Sequence, residues 1–263
     1  MARTYTNPIK TKLAAGEPVF GMSVRLARHP DIARVAKATG HDFLFIDIQH
    51  SIFNAETIGL IAQTALAIGV TPMVRTRGID DPDVSLMLDN CVMGIVYPDV
   101  NTADEARHAV DICKFPPLGK RSVTGGYPMF NYEGMPQAES IPLLNDSTLV
   151  AVMIETPEGL ENVEAIAAVP GIDVIHVGTN DLLVNMGMSG QFDAPEILAA
   201  QDRVNRACAA NGIYAGCGGN RSVSRQANAV RNGARFLTTQ TDIAFLASAA
   251  RKWTEDLRAE LEG

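Results

Sequence analysis

The sequence predicts an α/β protein built as a single (β/α)8 barrel of the TIM type. Short apolar runs rich in Val, Ile and Phe alternate with longer amphipathic segments along the chain, which is typical of a parallel sheet covered by helices. Eight such runs are present, and eight strands separated by helices favour a closed barrel over an open sheet. A length of 263 residues is common for one such barrel, so we expect residues 1–263 to form one domain.

The predicted strands and helices alternate from the first strand to the C-terminus. The predicted strands span residues 19–24, 43–48, 72–76, 94–97, 149–154, 174–177, 213–216 and 236–239. The predicted helices span residues 30–39, 55–68, 82–90, 103–113, 159–168, 196–210, 222–232 and 243–261. A long β4–β5 insertion, residues 114–147, separates the fourth and fifth strands. We expect it to be a lid or an oligomer contact, or else an insertion packed on the barrel rim.

Composition and charge exclude several classes of partner. The net charge is −8 and no local run of Lys or Arg offsets it, which argues against nucleic acid and anionic membranes. No apolar run approaches the ~20 residues of a membrane-spanning helix, and the N-terminus lacks an apolar signal segment, so we expect a cytoplasmic protein. Cys91, Cys113, Cys208 and Cys217 form no C-x-x-C pair, and we expect them to be buried as small apolar residues.

Two carboxylates follow neighbouring predicted strands. Catalytic groups of such barrels lie where the strands end, so polar residues after each apolar run are candidates. Glu155 follows the fifth strand and Asp181 the sixth, and carboxylate oxygens are preferred ligands of Mg²⁺ and Mn²⁺. The structural alternative is that Asp181 caps a helix starting at Leu182 while Glu155 pairs with Arg75.

Three further candidates follow the second and third strands. We expect Asp47 to accept a hydrogen bond from the ring of His50, which would orient His50 as a base, although a merely solvated His50 is the alternative. Arg75 is a permanent planar cation that suits an enolate oxygen, or it neutralises Glu155 or Asp47.

Residues 178–181 (GTND) precede a helix, and their backbone N–H groups suit a substrate carboxylate. Thr179, Asn180 and Asp181 are therefore candidate substrate-binding residues. A Schiff-base aldolase would need a lysine at the barrel mouth, but the lysines lie in the N-terminal segment, on predicted helices or in residues 114–147. Carbonyl activation is therefore expected to come from a metal and Arg75.

These candidates lie in motifs that together resemble the HpcH/HpaI family of metal-dependent, class II pyruvate aldolases over nearly the whole chain. The motifs are residues 46–51 (IDIQHS), 74–75 (VR), 88–89 (LD), 98–102 (PDVNT), 115–122 (FPPLGKRS), 154–156 (IET), 169–173 (VPGID) and 178–182 (GTNDL). The resemblance implies an aldehyde-lyase that reversibly cleaves 4-hydroxy-2-oxo acids to pyruvate or hydroxypyruvate and an aldehyde through a metal-bound enolate.

The resemblance also implies a role for each candidate residue. Glu155 and Asp181 would hold Mg²⁺, Mn²⁺ or Co²⁺, and Arg75 would contact the carbonyl or enolate oxygen of the 2-oxo acid. His50 with Asp47 would transfer protons through a bound water. Asp89 matches a carboxylate near the metal-bound waters, in its own site or in that of a neighbouring subunit, and a structural role at a helix end is the alternative.

The chain departs from the family pattern at several positions. Gln49 stands where the family has Glu, Met153 where Gln is frequent, and Thr179 where Pro is usual. Residues 123–128 (VTGGYP) lack an arginine that the family often carries, which removes one anchor for an acceptor that bears a carboxylate.

Other functions and an oligomer are also considered. A citrate-lyase-β-like enzyme acting on a coenzyme A thioester would need a basic groove, but a solvated helix face explains the scattered Arg221, Arg225 and Arg231. A non-catalytic barrel is the other alternative. The resemblance implies a homo-oligomer, a hexamer or trimer, with the predicted helix 243–261 on a neighbour. The predicted helix carries an apolar stripe of Phe245, Leu246, Ala249 and Trp253. Packing of this helix on its own barrel would explain the stripe equally well.

Overall fold

Eight parallel strands form a closed barrel in the computed structural model, which describes residues 5–262. Each strand pairs with the next along the chain, and β8 pairs with β1. The strands are β1 (Val19–Val24), β2 (Phe43–Asp47), β3 (Thr71–Arg75), β4 (Gly94–Tyr97), β5 (Leu149–Ile154), β6 (Val174–Gly178), β7 (Tyr214–Gly218) and β8 (Phe236–Thr241). The predicted (β/α)8 barrel is confirmed, with some strand ends shifted by one or two residues.

Helices connect the strands and surround the barrel. They are α1 (Pro8–Ala14), α2 (Ile32–Ala38), α3 (Ala55–Ala67), α4 (Val84–Asp89), α5 (Ala103–Cys113), α6 (Gln137–Ser147), α7 (Pro157–Glu161), α8 (Val163–Ala167), α9 (Thr179–Asn185), α10 (Pro195–Ala210), α11 (Val223–Arg231) and α12 (Asp242–Glu262). The predicted helix 159–168 is two short helices, α7 and α8, which meet at Asn162. Helices α1 and α6 were not among the predicted helices, and α9 begins at Thr179 and not at Leu182.

The barrel interior is filled at the end where the strands begin. Phe43, Met73 and Phe236 pack inside the barrel, and α1 covers this N-terminal end with the fully buried side chains of Ile9 and Leu13. A second apolar layer lies between the strands and the helices, and all four cysteines are buried as predicted. The space left for a ligand is therefore at the C-terminal ends of the strands.

Residues 114–147 pack at the N-terminal end of the barrel. Helix α5 follows β4 and returns the chain to that end, and none of residues 114–147 lines the cavity at the C-terminal ends of the strands. Lys114 Nζ donates a hydrogen bond to the backbone oxygen of Asn145 at 2.6 Å. The segment has a small apolar core of Phe115, Tyr127, Phe130 and Leu144. A lid over this chain's own cavity is therefore wrong.

Helix α12 leaves the barrel after its first turn. Its buried Asp242 accepts hydrogen bonds from the backbone N–H groups of Arg25, Leu26 and Ala27 at 2.8 to 3.0 Å. Further along the helix, Leu246 is 62% exposed and Trp253 75% exposed. Of the predicted apolar stripe, Phe245 contacts His41 of its own chain, whereas Leu246 and Trp253 do not cover the barrel. No helix within residues 5–262 has the length and apolar character needed to cross a membrane.

Candidate active site

A cavity of about 360 Å³ opens at the C-terminal end of the barrel. Its volume is typical of small-molecule sites. The cavity is lined by Ser23, Arg25, Phe45, His50, Arg75, Met153, Glu155, His176, Gly178, Asn180, Asp181, Gly218, Gly219, Arg221, Thr238, Thr239 and Gln240. The structure thus brings together five of the predicted site residues in one polar cavity: His50, Arg75, Glu155, Asn180 and Asp181.

Glu155 provides a buried carboxylate on one wall of the cavity. It follows β5 directly, is 2% exposed, and accepts the backbone N–H of Asp99 on Oε2 at 2.9 Å. Burial, together with the charges of Asp99 and Asp181, raises the pKa of Glu155 to about 7. A Cβ at position 178 would lie 2.3 Å from Glu155 Oε1, so Gly178 leaves the space that this carboxylate occupies.

The charges of Glu155 and Asp181 are not neutralised by a neighbouring side chain. Neither acid forms an ion pair with another of the described residues. Helix α9 begins at Thr179, so Asp181 lies inside the helix and not at its cap, and Arg75 pairs with a different acid. Both structural alternatives for this pair are therefore wrong. Two uncompensated carboxylates on one wall suit a divalent cation whose other ligands are water and substrate oxygens.

Arg75 is held at the end of β3 by Asp47. Its Nη2 and Nε donate to the two carboxylate oxygens of Asp47 at 2.7 and 3.1 Å. Burial alone would raise the pKa of Asp47, but the hydrogen bond and charge of Arg75 bring that pKa below its ordinary value. Asp47 therefore remains ionised, and the paired geometry fixes the plane of the guanidinium beside the cavity. Asp47 itself is fully buried and does not line the cavity.

His50 reaches the cavity, but Asp47 does not orient its ring. Asp47 Oδ1 accepts the backbone N–H groups of Gln49 and His50, each at 3.2 Å, in addition to the bond from Arg75. The predicted hydrogen bond between the His50 ring and Asp47 is therefore wrong, because the carboxylate is already used by these donors. Asp47 positions the His50 backbone instead.

The loop that leads into α9 contributes only some of its predicted groups. Asn180 lines the cavity, and its side-chain amide donates to the backbone oxygen of Gly219 at 3.5 Å. The Thr179 side chain is buried on the other side of the loop, where Oγ1 lies 4.0 Å from the sulfur of Cys217. The structure thus separates Thr179 from Asn180 and Asp181.

Asp89 lies away from this cavity. It is the last residue of α4, which runs from the C-terminal end of β3 back to the N-terminal end of the barrel. There its Oδ1 is 2.5 Å from Nη2 of the buried Arg121. Within this chain Asp89 therefore makes a structural ion pair at the opposite end of the barrel.

Some residues of the cavity were missed in the sequence. Arg25 follows β1 and Gln240 lies near the end of β8, so the rule that selected Glu155 would have found both. Arg221 was interpreted as part of a solvated helix face, which is wrong because it precedes α11 and lines the cavity. His176 lies within a buried strand, and its only signal was a polar residue in an apolar run.

His176 forms part of the cavity floor. Its ring occupies the space beside Gly216 and Gly218 of β7, where a Cβ would lie 2.6 Å from Nδ1 and 2.3 Å from Nε2. The residue is 1% exposed, and Nδ1 is buried with no hydrogen-bond partner among the described residues. Burial, followed by the charge of Arg75, lowers the pKa of His176 to about 3. The imidazole is therefore neutral at physiological pH.

Lysine is absent from the described residues that line the cavity. The most buried lysine, Lys114, lies at the opposite end of the barrel. The predicted placement of the lysines away from the barrel mouth therefore holds for the described residues.

Comparisons with known proteins identify the family. Residues 22–249 match the family HpcH/HpaI aldolase/citrate lyase. A 4-hydroxy-4-methyl-2-oxoglutarate aldolase of Chaetomium globosum is 39% identical over 251 residues, covering 93% of this chain and 92% of that protein. A hydroxypyruvate/pyruvate aldolase of Cupriavidus necator is 32% identical over 257 residues, covering 97% and 93%. The crystal structure of an HpcH/HpaI aldolase from Desulfitobacterium hafniense superposes with a TM-score of 0.90 at 29% identity, covering 95% of this chain and 96% of that one. The chain therefore belongs to the HpcH/HpaI aldolase/citrate lyase family and is an enzyme of the aldolase class, a carbon-carbon lyase.

Proposed function

We propose that the enzyme is a divalent-metal-dependent aldolase that reversibly cleaves 4-hydroxy-2-oxo acids to pyruvate or hydroxypyruvate and an aldehyde. The observation that carries the proposal is the uncompensated pair Glu155 and Asp181, which shares one cavity with the fixed guanidinium of Arg75. The names of the two relatives support the 2-oxo acid substrate class.

Glu155 and Asp181 are the residues that would hold the metal, with Mg²⁺ or Mn²⁺ as the first choice and Co²⁺ as a substitute. Both offer oxygen ligands, and the raised pKa of Glu155 reflects the burial and negative charge that a bound cation would offset. When bound, the cation supplies Lewis-acid polarisation of the 2-oxo acid's carbonyl group.

Arg75 and His50 divide the remaining chemistry. In cleavage, His50 accepts the proton of the C4 hydroxyl, the bond between C3 and C4 breaks, and its electrons pass to the C2 carbonyl as an enolate. Arg75 stabilises the negative charge on the enolate oxygen, and Asp47 acts as a positioning residue that keeps the guanidinium in place. Protonation at C3 then gives pyruvate. Asn180 and the first turn of α9 contact the substrate carboxylate.

Metal removal tests the proposal. Treatment with EDTA should abolish release of pyruvate from 4-hydroxy-2-oxo acids, and Mg²⁺, Mn²⁺ or Co²⁺ should restore it. Calorimetry should show binding of Mn²⁺ that is lost in both Glu155→Gln and Asp181→Asn. Full turnover after verified metal removal, or a lysine adduct after borohydride treatment with pyruvate, would refute this mechanism.

No observation favours a coenzyme A thioester as substrate. Arg225 pairs with Asp193, and Arg231 donates to Asn228 of its own helix. Arg225 and Arg231 are therefore already paired and do not extend the cavity into a basic groove for nucleotide phosphates.

We also propose that the enzyme is a homo-oligomer, a hexamer or trimer, in which α12 packs on a neighbouring subunit. The exposed apolar residues along α12 support this, because its own barrel does not cover them. In such an assembly Asp89, at the far end of the barrel, would approach the site of a neighbour. Light scattering that gives a monomer at micromolar concentration would exclude both the oligomer and the approach of Asp89 to a neighbouring site.

A further inference from the structure

The floor of the cavity carries one polar ring that the proposed chemistry does not use. The imidazole of His176 packs against the rings of Phe45 and Phe236, with ring centres 6.2 and 5.5 Å apart. A polar group in such an apolar layer costs free energy unless it finds a hydrogen-bond partner. Nδ1 of His176 has no partner among residues 5–262. This cost suggests that the imidazole serves the ligand of the cavity and does more than fill space.

Two glycines of β7 make the space that the ring occupies. A Cβ at Gly216 would lie 2.6 Å from Nδ1, and a Cβ at Gly218 would lie 2.3 Å from Nε2. Because β7 runs from Gly216 towards Gly218 at its C-terminal end, Nε2 is the ring nitrogen nearer the opening of the cavity. Gly218 lines the cavity, whereas Gly216 does not. The ring is therefore oriented with Nε2 towards a ligand and Nδ1 towards the barrel core.

The burial of the two nitrogens favours a proton on Nε2. A neutral imidazole carries its proton on only one nitrogen. On Nδ1, which is fully buried, the proton would be an unsatisfied donor of a kind that native structures rarely contain. On Nε2 the proton faces the cavity. Burial keeps the ring neutral, because it lowers the pKa of His176 to about 3. His176 therefore presents an uncharged N–H donor from the floor of the cavity.

The Phe45 ring connects His176 with Arg75. The guanidinium carbon of Arg75 lies over this ring, 5.4 Å from its centre, and the His176 ring is the 6.2 Å neighbour described above. All three residues line the cavity. The charge of Arg75 also contributes to the lowered pKa of His176. Both side chains therefore border the space next to the Phe45 ring, and an oxygen atom held there would have two donors.

We propose that His176 is a catalytic residue that donates a hydrogen bond from Nε2 to the oxygen on which the enolate charge develops, alongside Arg75. This inference rests on the proposed aldolase function. The proton stays on Nε2 throughout, so the imidazole takes no part in the bond changes at C3 and C4. A neutral imidazole suits this role, because a donor that already points towards a developing oxyanion lowers the barrier without being charged itself. An imidazolium would instead repel Arg75.

Exchange of the C3 protons of pyruvate with deuterium tests this role, because exchange needs enolate formation and no acceptor. His176→Phe keeps a ring of similar size and removes the donor. The rate constant of exchange should therefore fall by roughly 10²-fold, the usual effect of losing one oxyanion donor. The dissociation constant of pyruvate should change by less than about 3-fold, because the donor acts mainly on the enolate. An unchanged rate of exchange would overturn the inference.

Two amide variants identify the nitrogen that acts. The amide nitrogen of glutamine can reach the position of Nε2, and that of asparagine only the position of Nδ1. His176→Gln should therefore exchange at least about 10-fold faster than His176→Phe, and His176→Asn should not. Because glutamine cannot take up a proton, this recovery would also exclude a role of His176 as a base. Equal rates in the two amide variants would contradict the assignment of Nε2.

Phe43→Leu is the control for a disturbed core. Phe43 is fully buried in the same barrel interior and does not line the cavity. This variant loses packing but no hydrogen-bond donor, so its exchange rate should stay within a few-fold of wild type. A loss as large as that in His176→Phe would attribute the effect to packing and overturn the inference.

Binding of oxalate, a stable analogue of the pyruvate enolate, separates this inference from the aldolase proposal. Calorimetry with oxalate in the presence of Mg²⁺ needs no turnover. His176→Phe should weaken oxalate binding by about 10-fold or more while pyruvate binding changes little. Oxalate binding that is the same in wild type and His176→Phe would overturn this inference, even for a working aldolase. Absence of deuterium exchange in the wild-type enzyme would contradict the aldolase proposal alone.

Discussion

The neutral imidazole of His176 should make the stability of the barrel depend on pH. In the folded protein the pKa of His176 is lowered to about 3, first by burial and then by Arg75. In the unfolded chain a histidine titrates near pH 6.5. Between these values the unfolded state binds a proton that the folded state does not, so stability is lost as the pH falls below about 6.5.

The size of this loss follows from the difference between the two pKa values. At pH 7.5 the loss of stability that is due to His176 is close to zero. A pH of 5 lies about 1.5 units below the pKa of histidine in the unfolded chain. At roughly 1.4 kcal/mol per unit, the free energy of unfolding therefore falls by about 2 kcal/mol. The residue is 1% exposed, so solvent screening does not reduce this value appreciably.

Urea unfolding of His176→Phe at pH 7.5 and pH 5 measures the effect. Replacement removes the titratable group, so the free energy of unfolding of the variant, relative to wild type, should rise by about 2 kcal/mol between pH 7.5 and pH 5. Phe45→Leu is the control, because Phe45 lies 6.2 Å from the His176 ring and carries no titratable group. Its effect should be equal at both pH values. An equal effect of His176→Phe at both pH values would refute the assignment of a neutral, desolvated imidazole.

Three other predictions concern the proposed chemistry and assembly. Arg75→Lys keeps a cation but loses the fork that holds Asp47, so kcat should fall by about 10²-fold and pyruvate C3 exchange should fall with it; retention of either within a few-fold would contradict the enolate role. His50→Ala should lower aldol turnover by roughly 10²- to 10⁴-fold while calorimetry shows little change in pyruvate affinity, and a loss of metal binding would instead make His50 a ligand. Substitution of Leu246 and Trp253 by Ser should shift the light-scattering mass towards the monomer, and an unchanged mass would place the interface elsewhere.

The strand-end rule explains why much of the site was predictable from the sequence. Glu155 and Asp181 each follow a run of apolar residues, and parallel strands in a closed barrel bring such positions to one end. The same alternation of apolar runs and helical segments predicted the barrel. Eight strands that are separated by helices have few other ways to bury both faces of a sheet. Helix α6 was not predicted, and it contains Pro142, a residue that in a sequence argues against a helix interior.

The sequence did not show which partners the candidate side chains would bind. Asp47 lies next to candidate donors on two sides, and only the three-dimensional arrangement shows that Arg75 and backbone N–H groups use its oxygens. Asp89 illustrates a second limit. Its motif is recognisable, but α4 carries it to the opposite end of the barrel, which no local pattern reveals.

The side chains proposed for bond chemistry and the other arginines of the cavity come from different strands. The groups proposed for chemistry come from β2, β3, β5, β6 and the start of α9, and Asp47 and Gly178 fix two of them in place. Arg25 and Arg221 come from the ends of β1 and β7, where side chains can change without removing a metal ligand or the Arg75 pair. Because Arg25 also donates to the backbone of His50, a ligand bound to Arg25 acts next to the proposed base. Substitution of Arg221, which has no such connection, should therefore leave enolate formation largely unchanged.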